Sequence, residues 1–230
     1  MTALPRSYDP QRLGVSLRDA GLFLRQAVRT FRATGAIAPS GQALAGALTR
    51  YIDQRPDQDS PIAILEPGSG TGAVSRTIAA HMREGDTLDM VEPNAEFVER
   101  LNALVGTDPS FAEVADRVTV HQGLVTDLGT DRRFDVIVSG LPFANFTADE
   151  VREIMEYYFQ VLRPGGYLSF FGYLYTKQVK AIIAPREDYL RQARSSWVVQ
   201  DWVDRYGVGS ERVLPNLPPA WIHHLRKPVD

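Results

Sequence analysis

The chain has 230 residues, 44% of them hydrophobic and 23% charged, enough for one sizeable core and short for two full domains. It contains no cysteine, which excludes a disulfide framework and any thiolate metal site. The net charge of −3 divides unevenly: residues 1–32 carry six arginines against two aspartates, a balance of +4, and leave the rest of the chain at −7. A basic arm on an acidic body points to a polyanionic partner, either nucleic acid or an anionic membrane surface.

The start, Met1-Thr2-Ala3-Leu4-Pro5-Arg6, lacks the apolar stretch of a secretory signal. The most apolar later run, residues 167–175, has about half of the ~20 residues that a membrane span needs. A cytoplasmic protein that does not span the membrane is expected. In the arm, Leu17, Ala20, Leu24, Ala27, Val28 and Phe31 recur at helical spacing, while Arg18, Arg25, Arg29 and Arg32 fall mainly on another face. Such a helix either lies in a membrane interface or covers the core with a solvated basic face. A second helix is predicted over residues 42–52, with Ser40 as its N-cap. These helices make up a segment 1–56 ahead of a domain over 57–230.

From residue 62 the pattern alternates strand and helix, which calls for a mostly parallel sheet. Ile62-Ala63-Ile64-Leu65 is a short apolar run of the kind buried on both faces of a sheet. A glycine-rich turn follows, then a helix over 74–82, a strand over 87–91 ending at Glu92, and a helix over 94–105. Strands are predicted over 117–121 and 134–138. A helix over 149–162 stops at Arg163-Pro164-Gly165-Gly166, and a fifth strand over 167–171 emerges from that stop. A helix around 186–194 then precedes two β-like stretches, 197–203 and 220–225, which must pair antiparallel because no helix separates them.

The chemistry concentrates at the ends of the first, second and fourth strands. In Glu66-Pro67-Gly68-Ser69-Gly70-Thr71-Gly72 the glycines let the chain bend sharply and let a ligand lie against bare backbone. A dinucleotide site fits Gly68, Gly70 and Ala73 as well, and Glu92 suits a ribose in either case. Glu66 tilts the balance toward a cationic ligand, because a carboxylate beside the turn attracts positive charge and repels a pyrophosphate. Ser139-Gly140-Leu141-Pro142-Phe143 ends the fourth strand, where open α/β sheets place ligands. The four histidines have no metal-ligand spacing, and the adjacent His223 and His224 on one strand would point to opposite faces. No metal site is expected.

These residues carry a resemblance. Glu-x-Gly-x-Gly-x-Gly at 66–72 and Glu92 are similar to the first two motifs of class I methyltransferases, and five strands closed by an antiparallel hairpin are that family's plan. The resemblance implies an α/β fold with a seven-stranded, mostly parallel sheet, an antiparallel last strand and extra N-terminal helices. It implies S-adenosylmethionine as cofactor, held by Glu66, Gly68, Ser69, Gly70, Thr71, Gly72, Glu92, Pro93, Gly123, Leu124 and Ser139. Many such enzymes have an acidic residue after the third strand for the adenine. Here Leu124 offers main-chain contacts instead, and Asp127 is either a substitute or a helix cap.

Ser139 to Phe143 resembles the Asn/Asp/Ser-x-x-Pro-Tyr/Phe motif of amino-group methyltransferases, in which carbonyls hold the nitrogen and the aromatic packs on the cation that forms. The acceptor-side residues are then Ser139, Gly140, Leu141 and Phe143, with Tyr173 and Tyr175 beyond the fifth strand. Phe31-Arg32-Ala33-Thr34-Gly35-Ala36-Ile37-Ala38-Pro39-Ser40 and the ending Asn216-Leu217-Pro218-Pro219-Ala220 resemble the bacterial phospholipid N-methyltransferases, a likeness that runs from about residue 20 onward. That family methylates phosphatidylethanolamine successively toward phosphatidylcholine. It implies a phospholipid substrate, no nucleic acid, and peripheral attachment to the inner membrane through Arg18, Arg25, Arg29 and Arg32. The alternative is a ribosomal RNA adenine dimethylase, which would need a helical RNA-binding domain for which the chain leaves no room after its last strand. A cofactor-binding regulatory module is a third class, against which the intact residues 139–143 argue.

Overall fold

The computed structural model describes residues 39–55, 57–173, 186–214 and 220–229, and for residues 39, 40, 173 and 186–192 the backbone alone. Arg18, Arg25, Arg29, Arg32, Tyr175 and residues 215–219 lie outside the described residues.

Two helices, α1 (Pro39–Leu48) and α2 (Arg50–Asp53), precede the sheet. Then β1 (Ala63–Pro67), α3 (Ala73–His81), β2 (Thr87–Glu92), α4 (Ala95–Thr107), β3 (Val118–Gln122), β4 (Phe134–Ser139), α5 (Ala148–Val161) and β5 (Leu162–Tyr173) follow in alternation. The chain continues through α6 (Arg186–Tyr206), β6 (Gly207–Val213) and β7 (Ala220–Arg226). The seven strands lie in the order β3-β2-β1-β4-β5-β7-β6. β1 to β5 pair in parallel, and β7 runs antiparallel to both β5 and β6. The order reverses between β1 and β4, and a crevice at the carboxyl ends of strands forms at such a reversal.

Each face of the sheet has its own core. Leu65, Ile137, Leu168 and Leu225 pack with Val151, Met155 and Tyr158 of α5 and with Val198 and Trp202 of α6. On the other face Ile64, Val136, Val138, Phe171 and Ile222 meet Ile78 of α3 and Leu44, Leu48 and Ile52 from α1 and α2. The helices before β1 therefore share the core of the sheet. At the amino ends of the strands Arg55 and Asp86, both buried, form a bidentate pair at 2.8 and 2.7 Å, and Asp86 also accepts from the Ile62 and Arg83 N–H groups. A buried ion pair is tolerated where the remaining lone pairs are satisfied in this way.

The structure corrects four local expectations. Residues 197–203 are helical, and the helix predicted around 186–194 runs on to Tyr206. Strand alternation would put Trp197, Val199, Asp201 and Val203 on one face, whereas the helix buries Val198 and Trp202 together and leaves Trp197 68% exposed. The hairpin partner of β7 is instead Gly207–Val213, whose only buried residue is Val213, so no apolar pattern announced it. Ser40 lies within the first turn of α1, because helix begins at Pro39, a residue whose fixed φ suits a first helical position. That helix is also broken at Thr49, whose hydroxyl bonds back to the Ala45 carbonyl at 2.9 Å. Finally, β5 begins at Leu162, so residues 163–166 form part of the strand, with a register shift opposite 134–136 and Gly165 at φ 80°.

Candidate active site

β1 delivers Glu66 into the interior, 1% exposed, where Ser75 of α3 donates to its carboxylate at 2.5 Å. Burial pushes this carboxyl up to about 7; the serine hydroxyls oppose the shift and the nearby Glu92 carboxylate reinforces it. At the end of β2, Glu92 is also 1% exposed and accepts from the Gly70 N–H at 3.0 Å and the Asn94 N–H at 2.9 Å. Burial raises its pKa as well. No cationic side chain among the described residues pairs with either carboxylate.

The turn between them is tightly built. Gly68 and Ser69 donate to the Val91 carbonyl at 2.8 and 3.4 Å, and the Ser69 hydroxyl bonds to the Glu66 carbonyl at 3.0 Å. Thr71 is exposed at its rim, and Gly72, at φ 79°, caps α3. The left-handed backbone at Gly72 favours glycine, and a Cβ there would also push on the Leu104 side chain, 2.3 Å away. Pro93 follows Glu92 half-buried, in front of Asn94, which caps α4 by accepting from the Glu96 N–H at 2.9 Å.

The turn after β4 is locked onto the first. Gly140 donates to the Pro67 carbonyl at 2.8 Å, and a Cβ on Gly140 would sit 2.6 Å from the Gly68 carbonyl oxygen. Ser139 is fully buried and shares a 2.9 Å hydrogen bond with the Tyr158 hydroxyl, while the Leu141 N–H reaches its Oγ at 3.3 Å. Burial holds the Tyr158 phenol far above its usual range, so it stays neutral. Leu141 and Phe143 are buried, and Phe143 meets Phe170 of β5 edge-on at 5.4 Å. Tyr173 closes β5 opposite Ala220. After β3, Gly123 donates to the Glu92 carbonyl at 3.3 Å and Leu124 to the Asp127 carboxylate at 2.8 Å. Asp127 thus caps its own turn, and the adenine substitute is not needed to account for it.

The structure brings together residues 66–72, Glu92 and 139–143 at the carboxyl ends of β1, β2 and β4. Ser75, Asn94 and Tyr158 hold these residues by hydrogen bonds, and the sequence reading missed all three. Only Tyr158 left a trace, a hydroxyl on the helix face that Val151, Ile154 and Met155 mark as buried. His223 and His224 do face opposite ways: His224 binds Ser169 at 2.8 Å and His223 binds Ser210 at 2.9 Å.

Residues 64–166 match the family model described as a methyltransferase domain. Among solved structures, the chain is similar to an O-methyltransferase from Bacillus cereus in complex with SAH, at 15% identity and a TM-score of 0.61, covering 90% of this chain and 91% of that one. It is also similar to the O-methyltransferase TomG from Streptomyces achromogenes in complex with SAM, at 17% identity and a TM-score of 0.60, covering 89% of each chain. The fold is that of the class I methyltransferases. A search of curated proteins finds no match. Within the class I fold the carboxyl ends of the strands at the β1–β4 reversal are the place for cofactor, and the donor set fits one: two buried carboxylates without cationic partners among the described residues, beside a glycine turn held in place by its packing against Gly140.

Proposed function

We propose that this protein is an S-adenosylmethionine-dependent N-methyltransferase acting on the headgroup amine of phosphatidylethanolamine at a membrane surface. S-adenosylmethionine is the cofactor; when bound it supplies an electrophilic methyl group on a sulfonium. Glu66 and Glu92 favour its positive charge and its ribose hydroxyls over a pyrophosphate. The single observation that carries the amine reading is the turn Ser139 to Phe143, packed backbone to backbone against the glycine turn by Gly140 and Gly68. In this reading the Gly140 and Leu141 carbonyls, the latter shared with the Phe143 N–H at 3.1 Å, and the buried Phe143–Phe170 pair form the acceptor side at the end of β4. Carbonyl dipoles hold the N–H bonds of an amine, and aromatic faces suit the cation that forms.

A lipid amine with a pKa near ~10 must lose a proton to water before its lone pair can attack. The crevice then has to hold the neutral amine in line rather than supply a strong acid. The basic arm, by the resemblance of residues 31–40, is the part that meets lipid; no helix among the described residues is long and apolar enough to cross a membrane. Purified protein with methyl-labelled cofactor should label phosphatidylethanolamine vesicles in preference to ribosomal RNA or free ethanolamine. Label appearing only in RNA overturns the lipid reading.

A further inference from the structure

The sheet sets a second group of residues on the same face as Ser139. Register places Ser139, Phe170, His223 and Ser210 in one row across β4, β5, β7 and β6, and paired residues share a face. The next row toward the carboxyl end of β5 holds Gly172, Trp221 and Arg212 on the same face. His223 lies 5.4 Å from Phe170 and 6.2 Å from Trp221, stacked on the latter within 18°. Its Nδ1 is engaged by Ser210, and no described residue hydrogen-bonds its Nε2. Burial, with His224 alongside, pushes His223 down to about 4, so a neutral ring lies there at pH 7. The Arg212 guanidinium is exposed, sits 4.5 Å over the Trp221 ring, and pairs with no carboxylate among the described residues. Above Gly172 no described atom lies within 4 Å of where a Cβ would stand.

We propose that this face is the acceptor's headgroup subsite, reading a phosphoethanolamine ester: Arg212 takes the phosphate and His223 Nε2 accepts a hydrogen bond from the amine, which enters over Gly172. The assignment rests on the amine reading above and adds the unit that is recognised. The two rows are about 6.8 Å apart along the strands. The two-carbon link of the ester spans part of that distance and the length of the arginine side chain covers the rest. The order also fits a lipid, with the phosphate at the outer row and the amine at the His223 end of the inner row, one strand beyond Phe170 from Ser139. A neutral imidazole suits this place, since a protonated one would repel both the amine's conjugate acid and the methylated product. In the transfer the amine lone pair forms the new N–C bond while the S–C bond breaks and leaves its electron pair on sulfur. One N–H stays hydrogen-bonded to Nε2, and the surplus proton of the new ammonium goes to water.

The test measures methyl transfer by wild type, Arg212→Ala, His223→Phe and His223→Gln to phosphatidylethanolamine vesicles, free phosphoethanolamine and free ethanolamine, with cofactor affinity followed by calorimetry. Arg212→Ala should raise KM about tenfold for both phosphate-bearing acceptors and leave ethanolamine within twofold, as loss of one charge-assisted contact implies. His223→Phe should lower kcat/KM for every amine at least tenfold, and His223→Gln, whose amide oxygen can accept, should recover part of it. All variants should hold cofactor as the wild type does. Comparing vesicles with free phosphoethanolamine tells whether lipid or a soluble ester is the source. Active wild type with Arg212→Ala or His223→Phe unchanged overturns this subsite alone. A wild type that methylates no amine overturns the amine reading, and the subsite with it.

Discussion

Glu66 is a carboxyl without a cation, and its titration should govern the protein before cofactor arrives. Its folded pKa, about 7, lies above the ordinary value of 4.5, so the folded state holds the proton more tightly than the unfolded chain does. Stability is then full below pH 4.5 and is lost as pH rises to about 7, by about 3 kcal/mol. Urea unfolding of the cofactor-free protein at pH 5 and pH 8 should show this loss, and Glu66→Gln should remove it. Cofactor affinity should run the other way, rising with pH through 7 in the wild type as the carboxylate forms, and staying flat in Glu66→Gln. Calorimetric titration across that range checks it; a flat wild-type profile would remove Glu66 from the cofactor site. Glu66→Ala should bind cofactor far more weakly at every pH.

At the level of elements, two glycines that look alike in sequence have opposite consequences. Gly46 sits exposed within α1 with nothing within 4 Å of its Cβ position, so Gly46→Ala should stabilise the protein by about 0.5–1 kcal/mol in chemical unfolding. Gly140→Ala would press against the Gly68 carbonyl, a backbone group that cannot swing aside. It should part the two turns and abolish cofactor binding in calorimetry even where the circular dichroism of the fold persists. The contrast explains what was legible. Strands β1 and β4 announced themselves because burial on both faces leaves continuous apolar runs, β3 by the alternation of Val118 and Val120, and residues 66–72 because a sharp turn needs glycine. The hairpin was misplaced because Trp197, Val198 and Val199 favour strand locally, while their helical contacts with α5, Phe159 against Trp202 at 4.7 Å among them, come from far along the chain. Tyr158 was hidden for the same reason, since its partner Ser139 is reached only when α5 packs on β4, whereas Ser75 was hidden because a serine at the first turn of a helix has no pattern of its own.

Across the whole molecule, charge and chemistry are separated. The +4 of residues 1–32 belongs to the arm, and the body to which it is attached carries −7. A protein lacking residues 1–31 should lose binding to anionic liposomes in co-sedimentation, because each basic side chain near such a surface contributes about 1 kcal/mol. It should keep its cofactor affinity, since Glu66, Glu92 and Gly140 all lie in the sheet domain. Unchanged liposome binding would make the arm purely structural.

The contact of Gly140 with Gly68 and Pro67 also has a consequence in time. β1 is made early, yet its neighbour in the sheet is β4, and the glycine turn is buttressed only when the residues after β4 reach it. A chain still on the ribosome, with β1 to β3 emerged, has the carboxylates and the glycines but no wall behind them. Competence to hold the cofactor should therefore appear abruptly during synthesis, once the turn after β4 clears the exit tunnel.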